Sequence, residues 1–272
     1  MNEKELYKIL EEEIRTIDLS TVNTEMNEDQ EIAIIALEDT VVSGIDVVKR
    51  LLKIIDNEAI IKVINPDGFL IEENDIIAII KAKLATLLQV ELLIDNIVES
   101  MSAIATKVNF YVNQLVDTNI KLIDTRHNVP GSRYLTKQAF LDGGGINHYG
   151  NLSDHVFLNS RHKALYGSFN NAISIINNSI DQNVKYTIEV DTENDFFEAI
   201  KSECQLITMK NFDAEDVTRL LNSNYYNQLI EVRVDSNIQQ FSDYIHTGVN
   251  FISASEITKA YNFKKILIKY IK

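Results

Sequence analysis

Residues 186–232 read YTIEVDTENDFFEAIKSECQLITMKNFDAEDVTRLLNSNYYNQLIEV. Three short β-prone runs, Tyr186 to Val190, Gln205 to Thr208 and Leu229 to Val232, alternate here with the amphipathic stretches Glu193 to Ile200 and Ala214 to Leu221. Strand, helix, strand at this period predicts a parallel sheet, either open or closed into a barrel. The pattern extends outward in both directions. Ile120 to Ile123 and Val156 to Leu158 precede it, and Asn250 to Ile252 follows after a further amphipathic stretch, Ile238 to Ile245. In either form of sheet, ligands are expected beyond the carboxyl ends of the strands.

Upstream the rhythm differs. From Ile32 to Glu91 the apolar runs are short and broken by turn signals such as Asn65-Pro66-Asp67-Gly68 and Glu73-Asn74-Asp75, which predicts strands flanking a helix over Val47 to Ile55. From Leu84 to Leu115 apolar positions recur at helical spacing without a breaker, giving one long helix or two in succession, a natural connector between domains. The last run, Phe263 to Ile271, alternates isoleucines with lysines and reads as a half-exposed strand returning to the first domain.

With 45% apolar residues among 272, the chain has the composition of a globular protein. Its formal charge of −14 disfavours nonspecific binding to nucleic acid or to an anionic membrane, and any polyanionic substrate would need a local cationic pocket. Cys204 is the single cysteine, so no intrachain disulfide is expected, and a small buried hydrophobe is the natural role for it. Met1 to Glu13 is charged and helical in pattern, and the most apolar stretch, Ile76 to Ile94, is interrupted by Lys81, Lys83 and Glu91. These features lead us to expect a cytoplasmic protein.

Glycines 143, 144, 145 and 150 and histidines 127, 148, 155 and 162 all fall between residues 127 and 162. Asp124-Thr125-Arg126 directly follows an expected strand, where a barrel places ligand-binding groups. A glycine triplet lets backbone approach either a ligand or other backbone closely, so a site and a tight structural turn stand level on spacing alone. No Walker loop, dinucleotide-binding glycine motif or nucleophile elbow is present.

Asp124-Thr125-Arg126, Pro130-Gly131, Gly143-Gly144-Gly145 with Asn147-His148, then Leu152, Asp154 and His162, resemble the quinolinate phosphoribosyltransferase motifs DTRKTTPG, GGGxNH and LxDxxLIKDNH. Glu91, Asn96 and the stretch Ser102 to Thr106 upstream, and Glu189, Asp191, Asn211-Phe212 and Thr247-Gly248-Val249 downstream, extend the resemblance over nearly the whole chain. Asp18-Leu19-Ser20 is similar to the GDLT segment with which the family begins. ModD-like relatives, found with molybdate transport systems, share the loss of the KDNH lysine. The resemblance implies an α/β chain with the type II phosphoribosyltransferase fold. Residues 1–106 would form an N-terminal α/β sandwich domain joined by strand 255–272, and residues 107–254 an incomplete α/β barrel, in a homodimer. It also implies transfer of phosphoribose from phosphoribosyl pyrophosphate to a pyridine carboxylate with magnesium, for NAD biosynthesis. Glu189 and Asp191 would be the catalytic carboxylates. Arg126, His127, His148, Tyr149, Asn159, His162, Lys210 and Glu231 would be the substrate-binding positions.

Several of those positions depart from the family pattern. Leu92, His127, Tyr149 and Asn159 stand where the family has Arg, Lys, Arg and Lys, and Lys210 replaces an acidic residue. Val232 to Asp235 replace the SSGG phosphate loop, and Ala254-Ser255 stand where GA follows the last strand. Losing one oriented cationic contact costs about 2 to 4 kcal/mol of transition-state stabilisation. Arg133 and Lys137 are the nearby charges that would replace part of the loss. Three readings follow: a phosphoribosyltransferase with weak or altered activity, a non-catalytic homologue acting as partner or regulator, and a small-ligand or metal-binding module using His148, His162, Glu189 and Asp191. No HxxH or HExxH spacing supports a metal cage, and no metal ligand is assigned.

Overall fold

The computed structural model describes residues 3–14, 18–21, 28–153, 155–180, 184–234, 238–259 and 261–271; Asp154 and Asp235, both drawn into the motif comparison, lie outside them. The chain divides into two units. One comprises Met1–Phe110, Val129–Gly144 and Ala260–Lys272, the other Tyr111–Asn128 and Gly145–Lys259.

In the first unit, strands β1 (Asp29–Ala36), β3 (Ile60–Val63), β5 (Ile76–Lys83) and β12 (Ile266–Ile271) form an antiparallel sheet in the order β12-β1-β5-β3, while β2 (Thr40–Val41) and β4 (Leu70–Ile71) pair separately. Ile32, Ile34, Ile77 and Ile80 from β1 and β5 are fully buried. Helix α1 (Glu3–Glu13) precedes the sheet, and α2 (Ile45–Ile55) buries Val48, Leu51 and Leu52 at helical spacing. Helix α3 (Leu84–Asn113) is one continuous helix, and α4 (Arg133–Asp142) joins this unit after it. Gly44, which begins α2, has φ +108°, and a Cβ there would lie 3.0 Å from Ile97 Cγ2. The cap of α2 therefore comes from elsewhere: the Asp67 carboxylate accepts hydrogen bonds from the backbone N–H of Ile45 (2.9 Å) and Asp46 (3.1 Å).

In the second unit, β6 (Lys121–Leu122), β7 (Val156–Leu158), β8 (Tyr186–Val190), β9 (Leu206–Lys210), β10 (Leu229–Arg233) and β11 (Phe251–Ser253) are all parallel, in the order β6-β11-β10-β9-β8-β7. Ile146 adds a parallel bridge to Ile123 on the other side of β6. Neighbours thus follow chain order around a ring. Among the described residues no pairing joins residue 146 to β7, so the α/β barrel is incomplete. Every residue of β8 is buried, as a strand covered on both faces requires.

Helices α5 (Ser160–Tyr166), α6 (Phe169–Asn177), α7 (Glu193–Ala199), α8 (Ala214–Ser223) and α9 (Glu256–Lys259) complete the unit. Ser168, Thr192 and Asp213 cap α6, α7 and α8 by accepting from the backbone N–H three residues on. The stretch expected as a helix over Ile238 to Ile245 is a 3-10 helix, Ile238–Tyr244. Among the described residues no helix is long and apolar enough to cross a membrane.

Candidate active site

Register on the parallel sheet assembles the polar core. Glu189 on β8 and Glu231 on β10 both stand opposite Thr208 on β9, and two residues further along Arg233 stands opposite Lys210. Because strand side chains alternate faces, Glu231 and Arg233 project to the same side. Glu231 is fully buried. Its carboxylate accepts from Thr208 Oγ1 (2.7 Å) and from Ser253 Oγ, with Arg233 Nη2 at 3.7 Å and His148 Nε2 at 3.6 Å. Arg233 Nη1 also donates to Glu189 Oε2. Nδ1 of His148 accepts from the Tyr149 N–H at 2.9 Å, an arrangement that assigns the ring proton to Nε2, facing Glu231.

Burial opposes ionisation of Glu231, but His148, the Arg233 guanidinium and the Ser253 hydroxyl outweigh it and hold the carboxyl down at about 2. For Glu189 burial wins: its carboxyl is raised despite the attraction of Arg233 and Lys210. Burial likewise raises the Tyr149 phenol against the pull of Arg126.

Above this core lies a cavity of about 330 Å³ at the carboxyl ends of the strands, where a parallel sheet places its ligands. It is lined by Asp124, Thr125, Arg126, His127, His148, Tyr149, Phe157, Asn159, Ser160, Arg161, Glu189, Asp191, Lys210 and Arg233. Arg126, His127, His148, Tyr149, Asn159, Lys210, Glu189 and Asp191 therefore meet around one space. Glu231 lies beneath it, the buried partner of two lining side chains.

His162 is not among the lining residues; its Nδ1 accepts from the Asn159 N–H (3.3 Å) while Asn159 Oδ1 accepts from the Arg161 N–H (3.1 Å), a reciprocal cap at the start of α5. Arg133 and Lys137 lie on α4 in the other unit and line no part of the cavity. The glycine triplet is also absent from the lining. Gly143 is required by packing, because a Cβ there would lie 2.5 Å from the Ala105 carbonyl oxygen and 2.6 Å from Val108 Cβ.

Two lining cations, Arg233 and Arg161, escaped the sequence reading. The signal for Arg233 was available: it stands two residues beyond Glu231 on one strand and so shares its face. Its guanidinium lies 6.0 Å from the Phe157 ring centroid, and that of Arg126 lies 5.4 Å from the Tyr149 centroid. Tyr149 is in turn stacked on His155, with centroids 4.7 Å apart and planes 12° apart. No group of three or more His, Cys, Asp or Glu side chains among the described residues is placed to hold a metal ion.

Comparison with known proteins agrees along the chain. The family described as quinolinate phosphoribosyl transferase, N-terminal domain, matches residues 18–102, and its C-terminal domain matches residues 104–268. A Bacillus subtilis (strain 168) protein named probable nicotinate-nucleotide pyrophosphorylase (carboxylating) is 28% identical over 262 residues, covering 95% of this chain and 91% of that one. A protein of the same name from Synechocystis sp. is 29% identical over 257 residues, covering 92% of this chain and 86% of its own. The crystal structure of NadC from Streptococcus pyogenes superposes with a TM-score of 0.90 at 25% identity, covering 99% of this chain and 96% of that one.

Proposed function

The chain belongs to the quinolinate phosphoribosyltransferase family of NAD biosynthesis, and from that premise we propose that its barrel cavity transfers phosphoribose from phosphoribosyl pyrophosphate to a pyridine carboxylate, at a reduced rate. The observation that carries this reading is the convergence of Arg126, Arg161, Lys210 and Arg233 on one cavity in a chain of net charge −14. Such a concentration of cations suits phosphate and carboxylate groups. In the step proposed, the acceptor ring nitrogen forms a bond to ribose C1, the C1–O bond to pyrophosphate breaks, and its electron pair leaves with pyrophosphate. The lining cations bind the donor and stabilise the charge that develops on the leaving group. Asp191, at the mouth of β8, and Glu189 face the donor ribose.

Magnesium fits this site as a companion of the donor rather than as a resident ion. It keeps several waters and needs only one or two carboxylates plus substrate phosphates. Asp191, contacted at 3.5 Å by Ser160 Oγ and Asn211 Nδ2, is the residue that would hold it. Bound there, it would neutralise pyrophosphate charge. The same reading carries a cytoplasmic homodimer.

A second reading, a non-catalytic homologue serving as partner or regulator, is favoured by one contact. Arg233 is already held by Glu189 and Glu231, which withdraws a guanidinium from any ligand. Calorimetric titration with phosphoribosyl pyrophosphate and magnesium, followed by quinolinate and an assay for released pyrophosphate, separates the two. Micromolar donor binding with pyrophosphate release is expected, about 100-fold or more below a family member with the full cationic set. Absence of donor binding would overturn transfer in favour of the second reading.

A further inference from the structure

Resting on the transfer reading above, we propose that the acceptor is a planar aromatic acid with a single carboxylate, and that the Arg233–Glu189 pair sets this preference. The argument starts from charge. Four cationic side chains line the cavity, three carboxylates line it with them, and buried Glu231 makes a fourth, so the arginine and lysine charges around the site are matched one for one by carboxylates. A donor bearing phosphate and pyrophosphate claims most of the cationic capacity that such a site offers, and a second acceptor carboxylate would enter it uncompensated.

The cations are also unequally engaged. Arg233 is spoken for by Glu189 and Glu231. Arg126 keeps a buried Nε with no hydrogen-bond partner among the described residues, a group prepared to meet one carboxylate. Beside it stands an aromatic wall, Tyr149 and Phe157, with ring centroids 6.3 Å apart, backed by the stacked ring of His155. A flat ring resting on that wall and directing one carboxylate to Arg126 uses each of these features. Its nitrogen attacks ribose C1 as pyrophosphate departs, and no carbon dioxide is lost because no second carboxylate is present.

The test is equilibrium binding of two probes, pyridine-3-carboxylate and pyridine-2,3-dicarboxylate, to the full chain, with pyrophosphate release from the donor measured separately. The monocarboxylate is expected to bind about tenfold or more tightly than the dicarboxylate. Glu189→Gln, which removes one negative charge and leaves Arg233 with Glu231 as its one carboxylate partner, is expected to narrow or invert that ratio while the circular dichroism of the folded chain is kept. Equal or tighter binding of the dicarboxylate, binding of neither probe, or an unchanged ratio in Glu189→Gln would overturn the proposal. A bound monocarboxylate without pyrophosphate release would instead overturn the transfer reading and leave the acceptor class standing.

Discussion

Both units withdraw carboxylates from water, and they do it with different partners. In the first, neutral donors serve: Asp67 accepts from backbone N–H groups, Asp142 from Ser43 Oγ (2.6 Å) and Gln138 Nε2 (2.8 Å), and Asp56 from Thr86 Oγ1 (3.3 Å). Burial then prevails, and the Asp67 and Asp142 carboxyls are raised. In the second, Glu231 meets Arg233 and His148 and is lowered, while Glu189, nearer the cavity, is raised by burial against Arg233 and Lys210. A buried carboxylate with neutral partners ties the chain together. With the Arg233 guanidinium as a partner inside a parallel sheet, it stays charged.

Substitution tests that contrast. Glu231→Ala takes the buried acceptor from Thr208 and Ser253 and leaves Arg233 with Glu189 alone, and a stability loss of about 2 to 3 kcal/mol is expected in urea unfolding; a loss under about 0.5 kcal/mol would show that these groups find other partners. In the first unit the corresponding weak point is steric. Gly143→Ala is expected to cost about 1 to 3 kcal/mol by pressing on the Ala105 carbonyl and Val108, with no charge involved, so salt should leave its effect unchanged.

The smallest effect is a pH dependence of opposite sign in the two units. Glu231 is lowered from 4.5 to about 2, so its contribution is fully present above pH 4.5 and is lost as pH falls through 2. Asp95 on α3 is raised from 3.8 to about 6 by burial and by Glu99 and Glu91, so its ionisation weakens the fold as pH rises from 3.8 through 6. Because Asp95 is partly exposed, Asp95→Asn should raise stability at pH 8 by less than about 1 kcal/mol and change nothing below pH 4. An equal gain at both pH values would rule out the charge repulsion.

Much of the fold was legible because it rests on local pattern. The β8 and β7 runs were read to the residue, and the uninterrupted apolar spacing of α3 marked a helix. The 3-10 turn at Ile238–Tyr244 shares apolar spacing with an α-helix over two turns, so periodicity does not separate them. Within the site, residues carried by motifs converge on the cavity, whereas Arg233 stood in a segment read only as a missing glycine loop. Gly143 and His162, conspicuous in sequence, serve packing and capping, roles set by partners that local pattern does not reveal.

The return of β12 to β1, where Ile271 pairs with Glu31, has a consequence during synthesis. One edge of β1, with its buried isoleucines, has no native neighbour until residues 266–271 emerge from the ribosome. At roughly 5 to 20 residues per second that interval lasts about 10 to 50 s. Throughout it, an apolar strand edge is open to pairing with another nascent chain, and Asp29 and Glu31 at the start of β1 place negative charge where such pairing would begin.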